Sequence, residues 1–236
     1  MLKLLNLSHF YDKGNPIITN LSLVVEKGEI VSILGPSGCG KTSLLRLIAG
    51  LEKPCDGEIE INNELVSSGD LHVPPEKRNL GLVVEGKALF PHLNVHKNIT
   101  FGIPAEKNKN VLAQEYLDLF KIEHLKDKYP HEISSGEQQR TSLARAMITN
   151  PSILLLDEPT AALSPLYQKQ IIERIDALRS RGITVLIVEQ NARLSLSRSD
   201  RGYIFSNGKV VHTAPANEIL VDPQINEYFL GTKKDE

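Results

Sequence analysis

Ile30-Val31-Ser32-Ile33-Leu34-Gly35-Pro36-Ser37-Gly38-Cys39-Gly40-Lys41-Thr42-Ser43-Leu44-Leu45 is the stretch that decides the fold. Ile30 to Leu34 is a short, mainly apolar run that ends at a glycine, as a strand buried on both faces does. From Ser43 the apolar residues follow helical spacing, through Leu44, Leu45, Leu47 and Ile48, and the pattern stops at Gly50. Between strand and helix, Gly35, Gly40, Lys41 and Thr42 satisfy G-x-x-x-x-G-K-[ST]. A triphosphate is strongly anionic and needs many donors at short range. Glycines let backbone N–H groups point inward, and the helix N-terminus adds a positive dipole end. Lys41 is expected to bridge the β- and γ-phosphates, and the Thr42 hydroxyl to ligate magnesium.

Further along, Ile153-Leu154-Leu155-Leu156-Asp157-Glu158 is a second apolar strand, closed by two carboxylates. Asp157 is placed to hold magnesium through water, and Glu158 to polarise an attacking water. Ile183 to Val188 reads as another buried strand and Leu166 to Arg179 as a helix. Near the start, Leu21, Leu23 and Val25 alternate with more polar neighbours, and Gly57 to Ile61 followed by Asn62-Asn63 reads as a strand and hairpin turn. From Pro104 to Asn150 the pattern turns helical. Alternating strands and helices imply an α/β fold with a mainly parallel sheet covered on both faces, and an inserted helical lobe.

Composition fits one substantial domain of ordinary balance, with 236 residues, 41% hydrophobic, 24% charged and a formal net charge of -2. That charge gives no basic surplus to argue for nucleic acid. No apolar run is long enough to span a bilayer, and the start does not read as a signal peptide, so a cytoplasmic location is expected. Cys39 and Cys55 lack CxxC spacing, and Cys39 reads as a small residue that fits the loop. The seven histidines show no metal-ligand spacing and read as surface residues, with His92 and His96 in a loop. The run Glu106 to Asn110 reads as a solvated turn, and Lys233 to Glu236 as a solvated tail.

With these motifs in hand, the chain resembles the ATP-binding cassette (ABC) transporter ATPases over nearly its whole length. The resemblance rests on Gly35 to Thr42, on Ile133-Ser134-Ser135-Gly136-Glu137-Gln138-Gln139-Arg140, which looks like the family signature LSGGQ, and on Leu154 to Thr160. It implies a P-loop NTPase with a RecA-like core at about residues 1–87 and 151–236, an N-terminal antiparallel β part, and a helical subdomain at about 88–150. ATP with magnesium is the implied ligand. Gly35, Pro36, Ser37, Gly38, Cys39, Gly40, Lys41, Thr42 and Ser43 would hold the phosphates, and Tyr11 either stacks on adenine or is a half-buried strand tyrosine. Two cassettes, alike or different, would sandwich the nucleotide, with Ser134, Ser135, Gly136 and Glu137 of one facing the phosphates held by the other. Residues 85 to 101 would touch permease subunits on the inner face of the membrane, and a substrate-binding protein would deliver cargo. Leu89 to Val95 with Asn98-Ile99 resembles ferric-iron importer ATPases, whereas Val188 to Ala192 resembles branched-chain amino-acid importer ATPases.

Five positions depart from the family pattern. Glu85 stands where a magnesium-ligating glutamine is expected, Ser135 and Glu137 alter the signature, Ser164 replaces an aspartate after the second carboxylate strand, and Gln190 replaces the switch histidine. Gln190 can donate a hydrogen bond to the γ-phosphate but cannot carry a proton charge. Two readings follow. The chain is either an importer ATPase in which Glu158, Lys41 and Gln190 carry catalysis and Thr42, Asp157 and Glu85 hold magnesium, or a regulatory cassette that binds ATP, hydrolyses it weakly and works with a second cassette.

Overall fold

The computed structural model describes residues 1–12, 15–84, 86, 89–104, 108–161, 163–179 and 181–223. The expected magnesium ligand Glu85 and the tail Lys233 to Glu236 lie outside them, as do residues 106 and 107 of the expected turn.

The apolar runs become the middle of a six-stranded sheet, in the order β11-β10-β3-β9-β8-β7. Its members are β3 (Ile30–Leu34), β7 (Leu80–Val83), β8 (Ile153–Asp157), β9 (Thr184–Glu189), β10 (Arg201–Ser206) and β11 (Lys209–Pro215). Five strands are parallel and β11 closes one edge antiparallel. Every residue of β3, β8 and β9 is buried. Such strands need cover on both faces, which explains their lack of alternation.

The alternating segments form a second sheet, antiparallel and five-stranded, in the order β2-β1-β4-β5-β6. Here β1 is Leu2–Phe10, β2 Pro16–Val25, β4 Asp56–Ile61, β5 Glu64–Ser68 and β6 Leu71–His72. Asn62 and Asn63 both take positive φ, 53° and 66°, and close the β4–β5 hairpin as expected of a primed turn. Helix α1 (Lys41–Ala49) packs between the two sheets. Its Leu44, Leu45, Leu47 and Ile48 share one core with Leu2 and Leu4 of β1 and with Ile153 and Leu155 of β8. Each such side chain contributes about 1.5–3 kcal/mol by leaving water. The last turn of α1 is closed by Arg78, whose buried guanidinium donates to the carbonyls of Leu47 and Ile48, both at 2.9 Å. These are carbonyls that a helix end leaves without intrahelical donors.

The opposite face of the parallel sheet, with Leu154, Leu156, Val185 and Ile187, packs on helical segments. These are α2 (Val95–Ile99), α3 (Lys109–Leu119), α4 (Ser135–Met147) and α5 (Pro165–Arg179). Short α6 (Ala192–Leu196) and α7 (Ala216–Val221) cover a third, smaller core with Leu34 and Ile204. Among the described residues no helix is long and apolar enough to cross a membrane.

Three local expectations change. Lys109 and Asn110 do not continue a turn but open α3, which Asn108 caps by accepting from the Val111 amide. His96 lies in α2 rather than a loop, because Asn94 caps that helix through the Lys97 amide at 2.8 Å. His9 is not a surface residue, being only 6% exposed. Asn6, at φ 50°, inserts a bulge between Leu4 and Leu7, which moves the buried face from positions 2 and 4 to 7 and 9.

Candidate functional site: a phosphate loop facing two strand-end carboxylates

The site is built where β3, β8 and β9 end side by side. In the parallel register Leu34 pairs with Glu189 and Asp157 with Val188, so the loops after these strands converge. The first carries Gly35 to Gly40 into α1. Gly40 has φ 104°, and a Cβ there would come within 2.9 Å of the Ile17 carbonyl oxygen, so the N-cap of α1 is reserved for glycine. Lys41 is 5% exposed, and its ammonium donates to the carbonyls of Gly35 at 2.8 Å and Pro36 at 2.9 Å. The cation therefore sits within its own loop. Burial pushes the Cys39 thiol up, against a smaller downward pull from Lys41, so Cys39 stays a neutral thiol as expected.

Thr42 donates from Oγ1 to Oδ1 of Asp157 at 3.2 Å. This contact joins residues separated by more than a hundred positions, and it sets two side-chain oxygens side by side. Glu158 has φ 47°, an uncommon conformation for a side-chain-bearing residue, fixed by its amide donating to the Val188 carbonyl at 2.9 Å. Its Oε1 accepts from Gln190 Nε2 at 2.8 Å. A cavity of about 310 Å³ is lined by Ile17, Ser37, Lys41, Thr42, Glu158 and Gln190. A second, of about 350 Å³, adjoins it along Gly35, Pro36, Ser37 and Gln190. The loop, Asp157, Glu158 and Gln190 are thus brought together.

Tyr11 lies at the edge of this region. Its hydroxyl donates to Glu52, at 2.8 Å to Oε2, and stands 3.3 Å from Ser43 Oγ, while 56% of the residue remains exposed. The ring meets His9 edge-on at 5.0 Å between centroids and is otherwise largely open to solvent beside the start of α1.

The signature residues are elsewhere, at the start of α4. Ser134 is the N-cap, and Glu137 closes a capping box: its Oε2 accepts from the Ser134 amide at 2.7 Å and the Ser134 hydroxyl at 2.8 Å. Burial opposes ionisation of Glu137, but these hydrogen bonds, helped by Arg140 and His124, hold its carboxyl below the usual carboxylate range. The extra negative charge is turned back onto its own helix. Ser135 is exposed in the first turn, and Gly136 is buried against Tyr167, whose ring would lie 2.9 Å from an added Cβ.

Sequence reasoning missed Glu189. It is 3% exposed, and its Oε1 accepts from the Thr160 amide at 2.9 Å and the Thr160 hydroxyl at 2.7 Å. Burial pushes this carboxyl up. A charged residue closing the apolar run Thr184 to Val188 was the available signal, the same one that singles out Asp157.

A family model described as ABC transporter matches residues 18–161, more than half of the chain. The chain belongs to the ABC transporter family. Among curated relatives, the Fe(3+) ions import ATP-binding protein of Haemophilus influenzae is 39% identical over 89% of this cassette and 60% of its own length. A spermidine/putrescine import ATP-binding protein of Bacillus thuringiensis is 40% identical over 88% of this cassette and 64% of its own length. The cassette thus spans less than two thirds of these relatives. A solved dimeric ATP-binding cassette in a post-hydrolysis state, bound to ADP and Pi, superposes with a TM-score of 0.82 at 30% identity, over 92% of this chain and 99% of that one. The P-loop α/β fold with its antiparallel sheet and helical segments is the family's.

Proposed function

We infer that this cassette is the ATP-hydrolysing motor subunit of an importer. The observation that carries this is the convergence of Lys41, Thr42, Glu158 and Gln190 on one pair of adjoining cavities, with Asp157 accepting from Thr42. Lys41 and the loop amides neutralise the triphosphate. Glu158 is the general base. Gln190 occupies Oε1 of Glu158, so Oε2 is the oxygen that takes the proton of the attacking water. Gln190 also holds an amide group beside the phosphate cavity, positioned to donate to the γ-phosphate.

Thr42 Oγ1 and Asp157 Oδ1 are hard oxygen donors of the kind magnesium takes, one neutral and one charged, and they fit such an ion. Thr42 and Asp157 would hold it, with Glu85 as a further ligand, and magnesium would supply positive charge to the phosphate oxygens.

Ser134 to Glu137 line neither cavity, which supports a site completed by a second cassette. The dimeric state of the similar solved cassette agrees. The permease contact is assigned to residues 85–101, where the Phe90 and Phe101 rings pack in a tilted pair at 4.4 Å between centroids and Phe101 is 61% exposed. Exposed aromatic surface of this kind is characteristic of docking sites. The cassette then works at the cytoplasmic face of the membrane, with the helical part at about 88–150 relaying closure, and a substrate-binding protein brings the cargo. The relatives are named for ferric iron and for spermidine/putrescine, both cationic cargoes.

Steady-state phosphate release by the pure protein and by its Glu158→Gln variant tests the reading. Turnover should fall by about 10²–10⁴-fold in the variant, and equal turnover would sink the enzyme assignment. Gel filtration of the variant with ATP and magnesium should show a dimer, and a persistent monomer would require a different cassette as partner.

A further inference from the structure

Away from the phosphate loop, a cavity of about 380 Å³ is lined by Phe120, Lys121, Arg140, Tyr167, Gln170 and Arg174. It lies between α4, α5 and the chain leaving α3, and its size is that of a small-molecule site. Its charge is one-sided: Lys121, Arg140 and Arg174 face one carboxylate, the exposed Glu173.

Arg140 is the central group. Its Nε is shut off from solvent and has no hydrogen-bond partner. Its NH1 reaches only Gln170 Oε1, at 3.4 Å. Among the described residues, the side chains of Arg174 and Lys121 form no hydrogen bond or ion pair. Burial lowers the Arg140 pKa; Glu137 and Tyr167 oppose that, and the like charge of Arg174 adds a smaller push in the same direction. Proteins keep enclosed donors paired, because an unpaired one retains its desolvation cost, which is larger for a charged group. Lys121, Arg140 and Arg174 bring three positive charges to a wall that holds one carboxylate, so the cavity carries a surplus of positive charge.

We propose that this cavity binds a small anion, a carboxylate or phosphate group whose oxygens accept from the guanidiniums of Arg140 and Arg174, with Lys121 at its rim. The Tyr167 ring, 6.0 Å from the Arg140 guanidinium, and Phe120 form the apolar wall against the rest of the ligand. Tyr167 also underlies Gly136. An anion held here therefore braces the start of the signature helix, and it acts on cassette pairing rather than on nucleotide affinity. The same oxygens could be supplied by a free anion or by an acidic side chain of a second copy of this chain. The cavity's volume, that of a small-molecule site, favours the free anion.

The test uses the full chain, isotope-labelled, with saturating ADP occupying the phosphate loop, and inorganic phosphate as probe. The Arg140 Nε–H resonance should shift saturably with phosphate, and not with chloride at matched ionic strength. Arg174→Gln should weaken that binding about tenfold, as the loss of one charged hydrogen bond does, and should leave ADP affinity unchanged. Lys121→Gln is the second variant should the first fold poorly, with a smaller loss expected. No saturable shift, or an equal shift with chloride, overturns the site. A shift that follows protein concentration instead of phosphate assigns the acceptor to a second copy and overturns the small-ligand form of the proposal.

Discussion

Gln190 donates from Nε2 to Oε1 of Glu158 across 2.8 Å, tying the ends of two adjacent parallel strands. A glutamine thus orients the proposed base without a charge of its own to lose. Gln190→Ala should lower kcat about 10–100-fold, the value of one hydrogen bond to a charged group, with little change in KM for ATP. Gln190→Glu should lower it further, because two carboxylates would then face each other. Steady-state kinetics at fixed magnesium decides this, and an unchanged kcat in both variants would remove Gln190 from the site.

The buried ammonium of Lys41 gives a second expectation. Lys41→Ala leaves the Gly35 and Pro36 carbonyls without their donor and removes the cation from the loop. Nucleotide affinity should fall at least about tenfold. Isothermal titration with ATP reads the loss directly, and wild-type affinity in this variant would contradict it.

Glu137 caps α4 as a carboxylate. Its pKa is depressed in the folded chain, so the stability it contributes is present above the ordinary carboxyl value of 4.5 and disappears as pH falls through the lower folded value. Thermal melts of the wild type and of Glu137→Gln should differ by about 0.5–1 kcal/mol near neutral pH, the usual value of a cap, and converge in acid. The same variant releases the Ser134 hydroxyl from its carboxylate partner, so ATP-driven dimerisation should strengthen. Identical melts at every pH would show that the carboxylate adds nothing.

The contact between Gly136 and Tyr167 predicts an overpacking penalty. Gly136→Ala should destabilise by about 1–3 kcal/mol in urea unfolding. Tyr167→Leu in the same chain should recover most of that loss if the ring is the obstacle. Equal instability of the single and double variants would locate the strain elsewhere.

Glu189 titrates in the opposite sense to Glu137. Burial raises its folded pKa, so its neutral form stabilises the fold below the ordinary carboxyl value and that advantage is lost as pH rises through the raised one. Glu189→Gln keeps an oxygen for Thr160 but loses an acceptor for the Asn191 amide. Its stability curve should be flatter than that of the wild type between pH 4.5 and neutrality, and parallel curves would contradict the assignment.

The elements legible in the sequence are those in which one local rule acts alone. Ile30 to Leu34 and Ile153 to Leu156 had to be buried strands, Asn62-Asn63 had to turn, and the glycine spacing set the loop at Gly40. What escaped depends on contacts distant in sequence or on a phase change. Glu189 finds Thr160 only because β8 and β9 are neighbours. His9 turns inward because a bulge at Asn6 resets the alternation. Glu137 folds back onto Ser134 because the α4 amides prefer a carboxylate partner, an outcome its sequence spacing allows but a γ-phosphate-facing role obscured.

Helix α1 carries the phosphate loop on its first turn and, on its remaining turns, joins the two sheets. The chain cannot release this helix without opening its main core. Occupancy of the loop therefore becomes resistance to degradation: nucleotide at a hundred times its Kd adds about 2.7 kcal/mol against global unfolding. Limited proteolysis with and without ATP should show that protection, and under it the lifetime of the protein in a cell follows the supply of nucleotide.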